Sequence, residues 1–295
     1  MSCKYLLIPR VNVINANALS SPFTIGFPAV TAFLGFTHAL QRKLHEKEFT
    51  GLSLSKTGIT SHQIEMQTFK GKYDSVNSIV IQKKSPYSKS DFAKFKQGKP
   101  PSFTEDPRCH MTVSIVVKVE GHIENEEAFL MAVTSLINNG MKLAGGDIMS
   151  FEDVVLYDQV DERKLIRHLM PGYSLIQRSD LMQDRESNLD PIDQLLSALS
   201  INHKALETQS GDCSWVTERQ QKGWIVPICT GFMGISKLTP AGQDINQRNT
   251  NVPHIFAESI LTLGEFIMPH TMESISEMLF EYSYDKAKAL YLCQQ

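Results

Sequence analysis

The order of hydrophobic periodicities in the first half of the chain constrains its fold more than any other feature. Residues 4–14 (KYLLIPRVNVI) are apolar and β-branched and run into Asn15-Ala16-Asn17, which reads as a strand ending in a turn. Residues 28–44 (PAVTAFLGFTHALQRKL) place Val30, Phe33, Leu34, Thr37 and Leu40 at three- and four-residue spacing, the pattern of an amphipathic helix. Pro28 suits its first turn, and Arg42, Lys43 and His45 suit the negative end of its dipole. Residues 52–69 alternate loosely, as one or two strands do. Residues 70–108 break the pattern. It resumes with a strand at 110–119 (HMTVSIVVKV), a helix at 123–140 with acidic residues in its first turn and Asn138-Asn139-Gly140 at its close, and a strand within 142–158 behind Gly145-Gly146. Two β-α-β units separated by an insertion predict an α+β, ferredoxin-like domain over 1–158. RNA-recognition modules share this arrangement and present the sheet to RNA.

The second half is less regular. Helices are expected at 161–169, 190–207 and 272–283, strands at 173–178, 223–229 and within 254–268, and loops at 208–222 and 239–252. This makes 159–295 a mixed C-terminal α+β region packed on the first domain. The chain of 295 residues is long enough for either one or two domains. Its five cysteines are scattered and form no C-x-x-C pair, which argues against a disulfide framework or zinc module and for reduced thiols in the cytoplasm. No leader-like segment and no long apolar run is evident, so no membrane association is expected.

The formal net charge of −3 excludes a generally basic protein but conceals an asymmetry. Eight lysines fall between Lys70 and Lys99 against only Asp74 and Asp91, and Tyr73, Tyr87, Phe92 and Phe95 are interleaved with them. Lysines neutralise phosphates and aromatic faces stack on unpaired bases. A solvated, lysine-rich loop would have the same composition. In a chain that is acidic elsewhere, such a cluster is a local address for a polyanion. The loop 15–27 (NANALSSPFTIGF) is the second unusual stretch. Its amides and hydroxyls suit base edges and ribose, and the helix start behind it suits a phosphate. The same side chains equally suit the capping of their own turns.

Catalytic alternatives are few. His38 lies on the first predicted helix beside its apolar face, where it would serve either as a packed structural residue or as the general acid or base of a metal-independent RNA endonuclease. His62 and His110 fall in strands without an evident partner, and His168, His254 and His270 read as structural. There is no H-E-x-x-H, Walker or G-x-G-x-x-G motif, and Asp147, Glu152 and Asp153 read as surface carboxylates, so no metal or other cofactor is expected.

One resemblance covers nearly the whole chain. The block N-A-N-A-L-S-S-P-F-T-I-G-F-P at 15–28, with A-F-L-G-F-T-H-A-L-Q-R at 32–42, resembles the second-subunit family of type I-F CRISPR surveillance (Csy) complexes, within the repeat-associated RNA-binding (RAMP) superfamily. The segments M-K-L-A-G-G-D-I at 141–148, L-M-P-G-Y-S-L-I-Q-R at 169–178, G-W-I-V-P-I at 223–228 and L-G-E-F-I-M-P-H at 263–270 follow in order. The resemblance implies a non-catalytic subunit that holds the 5′ handle of a crRNA with the large subunit of the complex, beside its first backbone subunit, and meets target DNA only indirectly. It implies that 70–108 is a basic, thumb-like insertion. It also implies RNA contacts from Arg10, Asn12, Asn15, Asn17, Ser20, Ser21, Phe23, Thr24, Lys70, Lys72, Lys83, Lys84, Arg108, Gly145 and Gly146.

Overall fold

The computed structural model describes residues 3–83, 93, 96–98, 105–182, 190–207, 213–243 and 249–295. Its frame is a large antiparallel sheet with few helices. In the N-terminal half, β1 (Cys3–Asn17) pairs on one side with β3 (Glu105–Glu120) and on the other with β4 (Gly146–Ser150) and β5 (Val155–Asp158), while β2 (Ser53–Met66) pairs with the free edge of β3. The order across the sheet is therefore β5–β1–β3–β2, with α1 (Val30–His45) linking β1 to β2 and α2 (Glu126–Asn138) linking β3 to β4.

Both helices cover one face. Phe33, Leu40 and Leu44 of α1 and Phe129 and Val133 of α2 pack with Ile8, Val11, Ile59, Val113 and Ile115 of the strands. Successive strand residues point to opposite faces, so the uninterrupted apolar runs at 5–8 and 115–117 must feed two cores. They do. Tyr5, Leu7 and Val116 point away from α1 and are covered by α3 (Glu162–His168) and the turns at 269–278, through Leu165, Leu169, Ile275 and Met278.

The C-terminal half continues the same sheet instead of starting another. From β2 it runs through β11 (Leu279–Asp285), β12 (Leu290–Gln294), β9 (Ile225–Gly234), β10 (Ala257–Ile267) and β6 (Tyr173–Gln177). It then returns to β2, because β6 pairs with Thr60 and Ser61 while β11 pairs with Thr57 and Gly58 of the same edge. The six strands thus close a ring on β2. Gly58 lies at this approach, where a Cβ would stand 2.7 Å from the terminal methyl of Met278.

Several expected elements differ. The stretch 190–207 is helical only over α4 (Pro191–Leu199), which Asp190 caps, and then becomes β7 (Ile201–Glu207). The loop expected at 208–222 contains β8 (Cys213–Arg219), the antiparallel partner of β7. Residues 272–283 hold a short turn at Ile275–Met278 and then β11, because ladder partners on β2 and β12 override the helical spacing. Asn15-Ala16-Asn17 is no turn: β1 continues through it with a register shift between Val13 and Ala16, and Asn15 takes φ 55°. The insertion is narrower than 70–108, since β3 begins at Glu105 and pairs with Ile81–Lys83.

Candidate functional site

An open groove of about 650 Å³ lies where the start of α1 meets the ends of β1 and β3 and the turn before β4. Asn17, Ser20, Arg108 and Gly145 line it together with Asp106, Lys142, Ala144, Phe232 and the α1 face Ala29, Ala32, Gly35, Phe36 and Ala39. Four residues singled out from three separate parts of the sequence thus line one groove. Arg108 is held by a bond from Nη1 to Asn15 O (3.2 Å) and one from Nη2 to Asp106 Oδ2 (3.2 Å), which leaves other guanidinium donors for a ligand. Lys142 reaches Asp147 at 2.9 Å, an exposed pair that binds weakly enough to exchange for another anion. Helix α1 enters the groove with Ala29 at its N-cap, no side-chain cap and no acidic residue in its first turn, so nothing within the helix compensates its positive end.

Gly145 and Gly146 do different work. Gly145 takes φ 74° and makes the turn. Gly146 lies against β1: a Cβ there would stand 2.6 Å from Ile14 O and 2.8 Å from Ala16 N. Asn17 N donates to Ala144 O (2.8 Å), so the turn and the bulged end of β1 are one unit. Gln67 Nε2 donates to Asn15 Oδ1 (2.7 Å) and fixes the bulge from beside the end of β2.

Beyond Asn17 the loop folds into a small hairpin, Leu19–Ser21 against Thr24–Ile25. Its polar side chains are largely used within it. Asn17 bonds Leu19 N and O, Thr24 Oγ1 lies 2.7 Å from the hydroxyls of both Ser20 and Ser21, and Ser21 Oγ accepts from Phe23 N (3.1 Å). Phe23 stands at the tip, 80% exposed.

The remaining candidates lie elsewhere. Asn12 is exposed on the sheet face opposite α1, with Thr112 and Ser150 as its ladder neighbours. Arg10 has φ 50° at a bulge in β1, and its Nη2 donates to Met170 O (3.0 Å). The adjacent turn is held by His62. Its Nδ1 lies 2.7 Å from Pro171 O and its Nε2 2.7 Å from Ser114 Oγ, which also accepts from Arg10 N. A carbonyl only accepts, so Nδ1 carries the proton and Ser114 donates to Nε2. Burial pushes the His62 pKa down. Lys70 and Lys72 are exposed at the root of the insertion, and Lys72 Nζ sits 5.5 Å from the Tyr73 ring centroid. Lys83 is in the strand that pairs with β3; Lys84, most of the other insertion lysines, Tyr87, Phe92 and Phe95 lie outside the described residues.

The comparisons with known proteins bear on the whole chain. The family described as CRISPR-associated protein (Cas_Csy2) matches residues 6–293. The chain is 31% identical over 318 residues to CRISPR-associated protein Csy2 of Pseudomonas aeruginosa (strain UCBPP-PA14), covering 97% of this chain and 93% of that one. The chain belongs to the Csy2 family. As a Csy2-family protein it is subunit 2 of a type I-F CRISPR Csy complex.

Three residues of this Csy2-family chain gave no sign in its sequence of belonging to the candidate region. Lys142, Phe232 and Gln67 join the candidate region through pairings between distant segments, and no local spacing connects them. His38 is exposed, not packed against the apolar core as its spacing suggested. It opens onto a separate pocket of about 330 Å³ with Gln41, Ser55, Tyr282 and Tyr291 and does not line the groove. Among the described residues no group of His, Cys, Asp or Glu is placed to hold a metal ion, and no helix is long and apolar enough to cross a membrane.

Proposed function

We propose that this Csy2-family chain is the non-catalytic, cytoplasmic subunit that binds the 5′ handle of the crRNA, together with the large subunit of the Csy complex and next to its first backbone subunit. The observation that carries the reading is the groove, where Asn17, Ser20, Arg108 and Gly145 converge at the uncapped start of α1. Cationic side chains and free helix N–H groups suit phosphate, and a glycine turn lets a sugar–phosphate backbone approach closely. The N-terminal half is a ferredoxin-like domain of the RAMP type, supported by the order β5–β1–β3–β2 with one helix in each crossover. Residues 159–295 form the second region, and the lysine-rich insertion is a thumb that adds phosphate contacts. Target DNA meets this subunit only through the guide.

The test is association of the full chain with guide RNA across a salt series. Neutralising Lys70, Lys72, Lys83 and Lys84 together should weaken binding and flatten the salt dependence, the log–log slope falling by about 0.7 for each phosphate the variant no longer neutralises. Unchanged binding in the quadruple alanine variant would refute the thumb assignment. The nuclease alternative predicts metal-free cleavage of repeat RNA that His38→Ala abolishes; the non-catalytic reading predicts intact RNA with either protein.

A further inference from the structure

One aromatic residue in the groove comes from the C-terminal half and has no part in the charge pattern. Phe232 lies on β9 and is 40% exposed, although its strand is paired on both sides, with Ser259 of β10 and Tyr291 of β12. A bulge lies just before it on the strand. The β9–β10 register shifts between Cys229 and Gly231, and the burial pattern changes there from buried through Gly231 to exposed at Phe232 and Met233. Bulges bend a strand and increase its local twist. Gly231 is required here, because a Cβ would stand 2.1 Å from Tyr291 O. The ring is thus carried by a doubly hydrogen-bonded strand and presented to the groove.

Helix α1 lines the same groove with Thr31, Ala32, Gly35, Phe36 and Ala39, behind Ala29 at its N-cap. Three alanine methyls and a glycine keep this part of the helix low beside Thr31 and Phe36, and the space where a Gly35 Cβ would project is open, with nothing within 4 Å. An exposed ring and a low stretch of helix, in a groove that also holds Arg108 and Lys142, combine a planar apolar surface with anion-binding groups. A nucleotide has both parts. A protein partner would need a carboxylate and an apolar side chain set side by side to match this lining, whereas an unpaired nucleotide carries both parts in one unit.

We propose that Phe232 and the Ala32–Gly35–Ala39 face of α1 form a slot that takes one unpaired base of the bound single-stranded RNA, stacked on the Phe232 ring. The slot rests on the handle-binding reading and names a base contact within it. Stacking on an aromatic ring is largely indifferent to base identity. The slot therefore fixes the register of the strand without reading its sequence.

Two variants approach the slot from different elements. Phe232→Leu keeps an apolar side chain but removes the ring, and Gly35→Leu fills the slot from a helix that leucine favours over glycine. The probe is a synthetic single-stranded RNA of the repeat-derived 5′ segment, carrying 2-aminopurine at successive positions, with the full chain. In the wild type, fluorescence should be quenched at one position. Phe232→Leu and Gly35→Leu should each abolish that quenching and weaken binding roughly 5- to 150-fold, while Phe232→Tyr retains both. If both variants bind and quench as the wild type does, the slot is refuted and handle binding stands. If the wild type binds no such RNA, alone or in the assembled complex, both readings fall. A photo-reactive benzoyl-phenylalanine at position 232 that crosslinks only to protein in the assembled complex would reassign Phe232 to a subunit interface and overturn the slot.

Discussion

His62 and Gly146 show how much of this fold turns on single atoms. His62 bridges β2 to the Met170–Pro171 turn as a neutral imidazole, donating from Nδ1 and accepting at Nε2. Its folded-state pKa lies below the ordinary value, with burial as the main cause, so the unfolded chain binds more protons in that window. The stability it contributes is therefore fully present above the ordinary histidine pKa and is lost as pH falls from there through the lower folded-state value. Urea unfolding at a series of pH values should show stability falling on acidification below about 6.5, and His62→Gln should flatten that segment. Gly146→Ala should cost about 1–3 kcal/mol, since the clash is with backbone atoms of β1 that cannot move aside; denaturant midpoints check it. A glycine pair before a strand was legible as a tight turn, whereas the distinct duty of the second glycine was not, because it depends on Ile14 and Ala16. The same is true of Gln67, whose amide holds a bulge residue 52 positions away.

Elements were legible in proportion to how locally they are determined. Helix α1 matched its spacing because Phe33, Leu34, Thr37 and Leu40 face one core. Helix α2 matched its acidic start and Asn-Gly close, and Asn125 accepts from Ala128 N at 3.0 Å to cap it. Asn125→Ala should lower stability by about 1 kcal/mol without changing groove chemistry, measurable by thermal unfolding. The hairpin of β7 and β8 was missed for the opposite reason. Ile201–Glu207 and Cys213–Arg219 are exposed at every described side chain, so no buried face imposes an alternation to read. β11 was missed because Met272, Ile275, Met278 and Leu279 are spaced like a helix face; the first three serve the α3 core from irregular turns before the strand begins.

At the level of the whole molecule, the sheet runs without a break across residue 158, where the sequence suggested two regions. The N-terminal half alone would expose Tyr5, Leu7 and Val116, which α3 and the 269–278 turns cover. Residues 1–158 expressed alone should therefore aggregate or bind a hydrophobic dye, and the full chain should unfold in one transition seen alike by near- and far-ultraviolet circular dichroism. The continuity was not readable in advance, since closure depends on one strand edge serving two partners. That edge has a mechanical corollary. β2 is paired with β3 along its length on one side and with β6 and β11 on the other, and the insertion springs from the far ends of β2 and β3. Sliding β2 by one residue would turn its side chains to the wrong faces of two ladders at once. A load on the insertion would meet paired backbone at once, since Met66 lies opposite Cys109 and Gln67 N donates to Arg108 O (3.0 Å) where the two strands leave the sheet.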